Sequence, residues 1–492
     1  MFNMKFVIKR FLLVAVCQLV FFSNQAISQV NDTNSDYHKG FDNFKTQINQ
    51  QFDTFSQHND SIFVQFLQKS WKEFEGKQNP IPTAPKPVNQ PIYQKPDSKK
   101  IPNVNGQPPL KQDQQIPPDP EIPTPKEDAL GYFPSGASFS FYGAKISLPL
   151  TNSRLPLLSS ISRQGIIDYF AKAGRSSELN GIAMDLKEKS FEYKLNDWGL
   201  ASLLLQAAKS YYSTVNEQVL FTWVGLLHSG YNVKVGYSSN RVYLLIPANV
   251  HLYTVSYTIN NKAYYLLEPG SDPPKTDKLL IHEADYPGNK SDFSFLLSET
   301  PQFGFLEAPK TLQYDQPINL HLNKNLVDFY RIYPPCELKV YFNAPLSANA
   351  KSQLDAFFLP LLEKKNDSDR AAFLLDFVQR AINYQTDKDQ FGHEKYLFAD
   401  ETIYYPAADC EDRAILLAKL IDRYTSLVAV GLRFPEHVSL AVSLPGSPQG
   451  KYVIFNNKRF YHCDPTYLGA GCGLLMPSLV NDVPEIINYL GL

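Results

Sequence analysis

Proline is concentrated in one stretch of this 492-residue chain: residues 80–125 hold 14 of the 36 prolines, separated mainly by Lys, Gln and Asp. Proline fixes φ and has no backbone donor, so such a stretch forms neither a helix interior nor a central strand. We therefore predict a semi-rigid, extended linker over residues 80–127. The linker separates a short N-terminal part from a long C-terminal part, and any large core must lie in the latter.

The N-terminus has the features of a secretory signal. Lys5, Lys9 and Arg10 precede the apolar run 11–22, and the small residues Ala26 and Ser28 follow at the positions that a signal peptidase recognises. We predict a signal peptide over residues 1–28 and export of the mature chain to the periplasm or the extracellular space. The apolar run is too short to span a bilayer, and we predict no transmembrane segment.

Residues 29–79 are predicted to form an amphipathic helical segment. Phenylalanines and isoleucines recur at a spacing of roughly three to four over residues 38–76, with polar residues between them. Such a stripe can mediate self-association with another copy, or it can pack on its own protein. The sequence leaves both alternatives open.

The rest of the chain has the composition of a globular protein. Hydrophobic residues make up 43% of the chain, and the formal net charge is −2. This charge gives no indication of a nucleic-acid partner. The length exceeds what one compact core usually accommodates, so we expect two globular domains.

Two segments of the globular part are similar to each other. Residues 260–269 and 456–465 are identical at five of ten positions and lie 196 residues apart. The repeat predicts two tandem copies of one α+β fold, over residues 128–295 and 296–492. The alignment also includes a helix upstream in each copy if a loop is three residues longer in the second copy than in the first.

The two predicted copies differ in the residues that could perform chemistry. The second copy has a thiol, an imidazole and a carboxylate, at Cys410, His437 and Asp464. The aligned positions of the first copy are Glu217, Arg241 and Glu268. An arginine stays protonated and cannot act as a base, and a glutamate cannot replace a thiolate nucleophile. The first copy is therefore predicted to be inactive.

The local sequence around the three residues suits a cysteine nucleophile. Asp409 is a good N-cap before an apolar-periodic run, so Cys410 should lie in the first turn of a helix, where negative charge is favoured. His437 begins a strand. The next extended segment, residues 451–463, is divided by a turn at residues 456–457 and ends just before Asp464. On neighbouring strands Asp464 could orient His437, which would activate Cys410. Each residue alone has an ordinary structural explanation, and the prediction depends on all three occurring in order.

Cysteine pairing is only partly constrained by the sequence. Removal of the signal peptide leaves four cysteines, at positions 336, 410, 463 and 472. An exported chain could join them in two disulfides. By proximity the most plausible bridge is Cys463–Cys472. If Cys410 is a nucleophile, one of the other three thiols remains unpaired.

The motifs together resemble the transglutaminase-like superfamily of cysteine enzymes. They are Asp-Cys-Glu-Asp-Arg-Ala at 409–414, Glu-His-Val at 436–438 and Cys-Asp-Pro-Thr at 463–466. The resemblance implies a papain-like α+β domain, in which a helix carrying the cysteine packs on an antiparallel sheet carrying the histidine and the aspartate. Glu401 corresponds to the acidic residue that usually precedes the cysteine motif.

The Asp-Cys-Glu-Asp form is most similar to bacterial transglutaminase-like cysteine peptidases, although Ala408 stands where these have glycine. The resemblance implies an exported hydrolase or peptidase that acts on amide bonds of a protein or peptide through a thioacyl-enzyme, with no required cofactor. Transamidation would use the same residues. Some of these peptidases bind calcium through acidic residues flanking the nucleophile, here Asp409 and Glu411. The alternatives are a non-catalytic binding, scaffolding or assembly protein built on the duplicated fold.

Overall fold

The computed structural model describes residues 58–82, 90–95, 138–148, 155–267 and 278–491. The predicted signal peptide, most of the amphipathic segment and most of the proline-rich linker lie outside these residues, as does Glu268. From Asp60 onward the described residues form one compact unit. Within the described ranges, no helix combines the length and the apolar character needed to cross a membrane.

The fold consists of helices and mostly antiparallel sheets, which confirms the predicted α+β class. Residues 58–67 are helical. The further helices are α1 (Arg163–Ala173), α2 (Ser177–Glu192), α3 (Asp197–Tyr211), α4 (Val215–His228), α5 (Lys324–Arg331), α6 (Leu338–Asn343), α7 (Ala348–Leu362), α8 (Asp367–Ala381), α9 (Asp387–Phe391), α10 (Ala399–Tyr404) and α11 (Cys410–Tyr424). The strands are β1 (Trp71–Glu75), β2 (Ser138–Phe141), β3 (Ala144–Ser147), β4 (Lys234–Tyr237), β5 (Val242–Pro247), β6 (Ser256–Ile259), β7 (Lys262–Leu267), β8 (Lys278–His282), β9 (Glu307–Gln313), β10 (Pro317–Asn323), β11 (Asn383–Tyr384), β12 (Ala407–Ala408), β13 (Ala429–Phe434), β14 (His437–Val442), β15 (Tyr452–Phe455), β16 (Lys458–Cys463) and β17 (Glu485–Ile487).

Two larger sheets organise the chain. The first has six strands in the order β1-β8-β4-β5-β7-β6, and the second has five in the order β15-β16-β14-β13-β17. Every residue of β5 and of β14 is buried. These strands are continuously apolar or nearly so, as expected for strands covered on both faces. Helix α4 packs on β5, and α11 packs on β14.

Four strands of each sheet, β4-β5-β7-β6 and β13-β14-β16-β15, have the same order and the same register. Leu244 pairs with Leu267 between β5 and β7, and Leu440 pairs with Cys463 between β14 and β16. The separation is 196 residues in both cases (440 − 244 and 463 − 267). Because a slip of one residue would turn every side chain to the other face, a shared register implies the same inward-facing positions in both sheets.

The outer hairpin of each sheet closes with two asparagines. Asn260 and Asn261 have φ of 51° and 63°, and Asn456 and Asn457 have φ of 47° and 60°. Two consecutive residues in the left-handed region make the turn that matches the twist of paired strands, and asparagine tolerates this conformation. The turn predicted at 456–457 is confirmed.

The helices before these strands match at nearly the same separation, and this corrects the alignment of Glu217 with Cys410. Helices α4 and α11 end 196 residues apart (424 − 228) and begin 195 residues apart (410 − 215), so a length change of one residue, and not three, relates the helix starts to the strands. Thr214 is the N-cap of α4, and its hydroxyl accepts the Glu217 N–H at 3.3 Å. The sequence alignment was wrong because Asn216 is an equally good capping residue by type.

Counted from the N-termini of the two helices, Glu217 corresponds to Asp412, and the two have the same structural role. Each is the third residue of its helix. Glu217 Oε1 accepts the Leu158 N–H at 3.1 Å, and Asp412 Oδ1 accepts the Leu397 N–H at 2.8 Å. Both carboxylates therefore join a helix N-terminus to an upstream segment, where the helix dipole also favours their charge.

The helical segment before the linker is shorter than predicted. The helix ends at residue 67, and Trp71–Glu75 forms strand β1, paired with β8 at the edge of the first sheet. Ser70, with φ of 64°, lies between helix and strand. Over so few residues the aromatic spacing fits both the helical period and the strand period. Residues 71–75 form a strand because pairing with β8 satisfies the backbone N–H and C=O groups along its edge.

The hydrophobic core is continuous between the two halves of the globular part. One direct link is an antiparallel bridge between Leu252 of the first half and Cys336 of the second. The predicted domain boundary between residues 295 and 296 stays a prediction.

Candidate active site

Cys410 is the first residue of α11, as predicted, and Asp409 is the N-cap residue. The Asp409 side chain makes no capping hydrogen bond to the helix, contrary to expectation. Both residues are fully buried. The first-turn N–H groups and the helix dipole favour negative charge at the position of the Cys410 side chain.

The Cys410 thiol donates a hydrogen bond to Glu411 Oε2 at 3.0 Å. A carboxylate that accepts the S–H favours the protonated thiol, and its charge opposes the helix dipole. Formation of a thiolate at this position therefore requires a base and a rotation of the thiol away from Glu411.

His437 and Asp464 are held together at the ends of neighbouring strands, as predicted. His437 is the first residue of β14, and Asp464 follows the last residue of β16. His437 Nε2 lies 2.8 Å from Asp464 Oδ2, and both side chains are buried. Asp464 Oδ1 accepts the Thr466 N–H at 2.9 Å, which fixes the carboxylate. Because the carboxylate bonds Nε2, the neutral ring has Nδ1 as its proton acceptor.

Helix α11 connects the two parts of the site, since it packs on β14, the strand that His437 begins. A small cavity of about 40 Å³ lies beside Cys410. It is lined by residues from β13 and β14 and from the turn between them, including Arg433, Phe434 and Val438. The Phe434 ring is stacked on the His437 ring, with centroids 6.4 Å apart.

Gln379 holds the loop that follows Asp464, and sequence reasoning missed this residue. Its amide nitrogen donates to the carbonyl oxygens of Asp464 at 3.1 Å and of Tyr467 and Ala470 at 2.9 Å. Its amide oxygen accepts the Gly469 N–H at 3.0 Å. A buried glutamine on the apolar side of α8 was the only signal for this role, since its partners are backbone atoms far along the chain.

The disulfide Cys463–Cys472, predicted as the most plausible pair, is formed and closes the same loop. Cys336 and Cys410 are the two cysteines without a disulfide among the described residues. Burial raises the pKa of the Cys336 thiol, which keeps this cysteine protonated.

Arg413 is a second residue whose role the motif did not reveal. Its Nη2 donates to the carbonyl oxygens of Val378, Gln379 and Ile382, at 3.0, 2.8 and 2.9 Å, at the C-terminus of α8. Burial lowers the pKa of Arg413 to about 10, and the nearby charge of Asp464 acts in the opposite direction. A cation in the last turn of a helix is favoured by the helix dipole. Arg413 thus fixes α8, and with it Gln379, against α11.

Acidic side chains surround the start of α11. The potential ligand atoms of Asp409, Cys410 and Glu411 lie within 4.8 Å of one another, as do those of Asp387, Glu394 and Glu411. Carboxylate oxygens are the donors that calcium prefers, so the residue types fit the calcium site that the resemblance implies. Such clusters also occur without an ion, and the calcium ligands Asp409 and Glu411 stay a prediction.

Glu401, which the resemblance singled out, belongs to a separate group. It lies in α10, where its carboxylate accepts the Phe398 N–H at 3.1 Å and pairs with Lys395 Nζ at 3.1 Å. Burial raises the pKa of Glu401, and the charge of Lys395 opposes this shift. These contacts stabilise the start of α10.

The corresponding positions of the first half make structural contacts. Val215, which opens α4 as Cys410 opens α11, is 51% exposed. Asn216 Oδ1 accepts the Val242 N–H at 2.8 Å and so joins α4 to β5. Arg241 precedes β5, with its guanidinium 5.6 Å from the Tyr243 ring centroid.

No protein-family model matches this chain, and no curated protein or solved structure matches it either.

Proposed function

We propose that this protein is an exported cysteine hydrolase or peptidase of transglutaminase-like type, with Cys410 as nucleophile, His437 as base and Asp464 as the residue that orients the base. The observation that carries the proposal is the buried hydrogen bond between His437 and Asp464, on a strand that packs against the helix opened by Cys410. The two equivalent four-stranded units favour duplication of this fold, with a catalytically silent first copy.

The chemistry follows from the protonation states. The Cys410 thiol turns from Glu411 and transfers its proton to His437 Nδ1, and the imidazolium is stabilised by Asp464. The thiolate attacks an amide carbonyl, and the tetrahedral intermediate expels the amine, which takes the proton from the imidazolium. The resulting thioester is cleaved by water, which regenerates the thiol and releases a carboxylic acid. An amine in place of water would give transamidation.

The test compares two buried histidines. His437→Ala removes the proposed base, and His462→Ala removes a buried histidine of the adjacent strand β16. We expect iodoacetamide to modify Cys410 ahead of Cys336 at neutral pH, and we expect His437→Ala to slow this reaction by at least about tenfold, since a general base typically contributes 10²–10⁴. His462→Ala should stay within about twofold of the wild type.

The measurement is the rate of modification of each cysteine by peptide mass spectrometry, with circular dichroism as a check on folding. Equal rates in the two histidine variants would contradict the triad. Incubation of the wild type and Cys410→Ala with a peptide mixture then distinguishes the reactions: hydrolysis yields new carboxylic acids, and transamidation yields amine-linked products.

A second candidate function is a non-catalytic binding or scaffolding protein built on the same fold. It is favoured by the hydrogen bond from the Cys410 thiol to Glu411 and by the small size of the adjacent cavity. This function predicts no dependence of the Cys410 reaction on His437 and no product from any peptide.

A further inference from the structure

Residues 77–82, at the start of the proline-rich region, extend the first sheet by another short pairing. Lys77 N donates to Ser256 O at 2.8 Å, and Ser256 N donates to Lys77 O at 2.9 Å. Ser256 is the first residue of β6, which forms the edge of this sheet. An edge strand presents unpaired backbone groups, and here an extended segment of the same chain satisfies some of them.

Asn79 fixes this segment with its side chain. Its amide nitrogen donates to Thr254 O at 2.7 Å and to Ser256 Oγ at 2.9 Å, and the residue is buried. Ile81 packs against the main hydrophobic core. Backbone pairing at a sheet edge, together with a few buried side chains, is how extended peptides are commonly bound.

The segment then reaches the candidate active site. Pro82 lines the cavity beside Cys410, together with Glu411 and Val438. A chain of five residue steps spans at most about 18 Å, so the edge of β6 and the Cys410 cavity lie within about that distance of each other. We call the surface along residues 77–82, from β6 to this cavity, the groove. Ligand pockets usually measure about 300–1,000 Å³. The cavity of about 40 Å³ is too small to admit a substrate side chain while Pro82 lines it.

The first half also contributes to the rim of the cavity. The Tyr253 ring contacts the ring of Tyr396, with centroids 6.3 Å apart. Burial raises the pKa of Tyr253, and the nearby charge of Arg433 opposes this rise. Tyr396 and Arg433 both line the cavity. The groove is therefore built by both halves, with the first half supplying β6 and Tyr253.

We propose that the groove between β6 and Cys410 binds an extended peptide substrate, and that residues 77–82 occupy it as a built-in inhibitor. This proposal rests on Cys410 being the nucleophile. The edge of β6 binds the peptide backbone, and the position of Pro82 receives a substrate residue close to the reacting carbonyl. The first half, although it lacks the catalytic residues, is then the peptide-binding platform of the enzyme.

The first test loosens the segment in the full-length protein. We expect Asn79→Ala to raise the rate of Cys410 alkylation by about tenfold, the change expected from the loss of its hydrogen bonds to Thr254 and Ser256. Pro82→Ala, at an exposed residue that lines the cavity, should raise it about threefold, because the smaller side chain uncovers part of the thiol. Gln78→Ala, at an exposed position of the same segment, is the control and should leave the rate unchanged.

Cys336 reports on general loosening of the core near the segment, since it is fully buried and paired with Leu252. Its rate should stay unchanged in all three variants. Unchanged Cys410 rates in both Asn79→Ala and Pro82→Ala would overturn the inhibitor role, as would a parallel rise at Cys336 in Pro82→Ala.

The second test adds the segment in trans. The peptide Lys-Gln-Asn-Pro-Ile-Pro, blocked at both ends and present at millimolar concentration, should slow Cys410 alkylation in Asn79→Ala severalfold. A peptide with alanine in place of the asparagine should have little effect. Absence of protection by the first peptide would overturn the binding groove.

The double variant Asn79→Ala/His437→Ala separates this proposal from the proposed function. A Cys410 rate that rises with Asn79→Ala but does not depend on His437 would leave the groove intact and remove the triad. A rate that depends on His437 but not on Asn79 or Pro82 would leave the triad intact and remove the inhibitor.

Discussion

The two halves of this chain share four strands in one order and register, and they differ at the ends of those strands. The second half opens its helix with Cys410 and begins β14 with His437, whereas the first half has Val215 and Arg241 at these places. The apolar strands and the asparagine turns are sufficient to build the sheet in both. The comparison shows that the same four strands and the helix packed on them form with Val215 and Arg241 in place of Cys410 and His437.

The halves also differ at their edge strands. Ser256 in β6 is paired with Lys77, while the matching residue of the second half is Tyr452 in β15 (452 − 256 = 196). Tyr452 and Ile454 are 39% and 64% exposed. One half thus uses its edge to hold a peptide segment, and the other presents candidate catalytic residues on its inner strands.

The largest expected difference between the halves concerns the fourth residue of the matched helices. Arg413→Ala should lower the free energy of unfolding by about 3–5 kcal/mol, because three buried carbonyl oxygens and a buried acidic group lose their cation. Gln218→Ala, at the matching position of α4, removes one hydrogen bond to Tyr212 O and should cost about 1 kcal/mol. Urea denaturation of both variants measures the difference, and equal losses would contradict the asymmetry.

The next difference is a dependence of stability on pH at one matched pair of positions, His282 in the first sheet and Ile487 in the second. Burial lowers the pKa of His282 in β8 to about 4. Strand β17 lies beside β13 as β8 lies beside β4, and its residue at the matching register is Ile487, which does not titrate. Since His282 binds its proton more readily in the unfolded chain, its contribution is complete above about pH 6.5 and is lost as the pH falls toward 4.

The expected loss is about 3 kcal/mol between pH 7 and 4, since one pKa unit corresponds to about 1.4 kcal/mol. His282→Ile should flatten this part of the stability curve, measured by urea denaturation at pH 7, 6, 5 and 4. A variant with the same slope as the wild type would show that other groups cause the acid sensitivity.

The disulfide is a third difference, because Cys463 corresponds to Leu267 in the first half. Replacement of Cys463 and Cys472 by alanine should lower the free energy of unfolding by roughly 2–3 kcal/mol, the value expected for a short closed loop. Hydrogen exchange should increase in residues 464–472 and leave β7 unchanged. An equal increase in both halves would mean that the bridge stabilises the whole unit and not its own loop.

The parts of this structure that sequence could predict are those with local signals. A capping position followed by an apolar-periodic run predicted the helix start at Cys410, and two asparagines between apolar runs predicted the hairpin that brings Asp464 beside His437. The class of the fold followed from the same patterns.

The parts that sequence could not predict depend on contacts between distant residues. Gln379 and Arg413 bind backbone carbonyls that carry no side-chain signal. Thr214 and Asn216 are both residue types that commonly cap helices. The sequence alone therefore did not show that the helix begins after Thr214. Residues 80–82 and 90–95 were predicted to be a spacer, yet Tyr93 N donates to Leu468 O at 2.8 Å, because proline-rich chains remain able to pair and pack at a surface.

The smallest expected effect tests the matched turns. Asn261→Ala and Asn457→Ala each place alanine at a positive φ and should each cost about 1 kcal/mol, whereas glycine at either position should be close to neutral. Hydrogen exchange at the strand ends is the measurement, because the free energies are small. The alanine variant should fray β15 more than β6, since β6 is also paired with Lys77. Equal fraying would mean that the segment at residues 77–82 gives β6 no extra support, which would weaken the case that the first half is a peptide-binding edge.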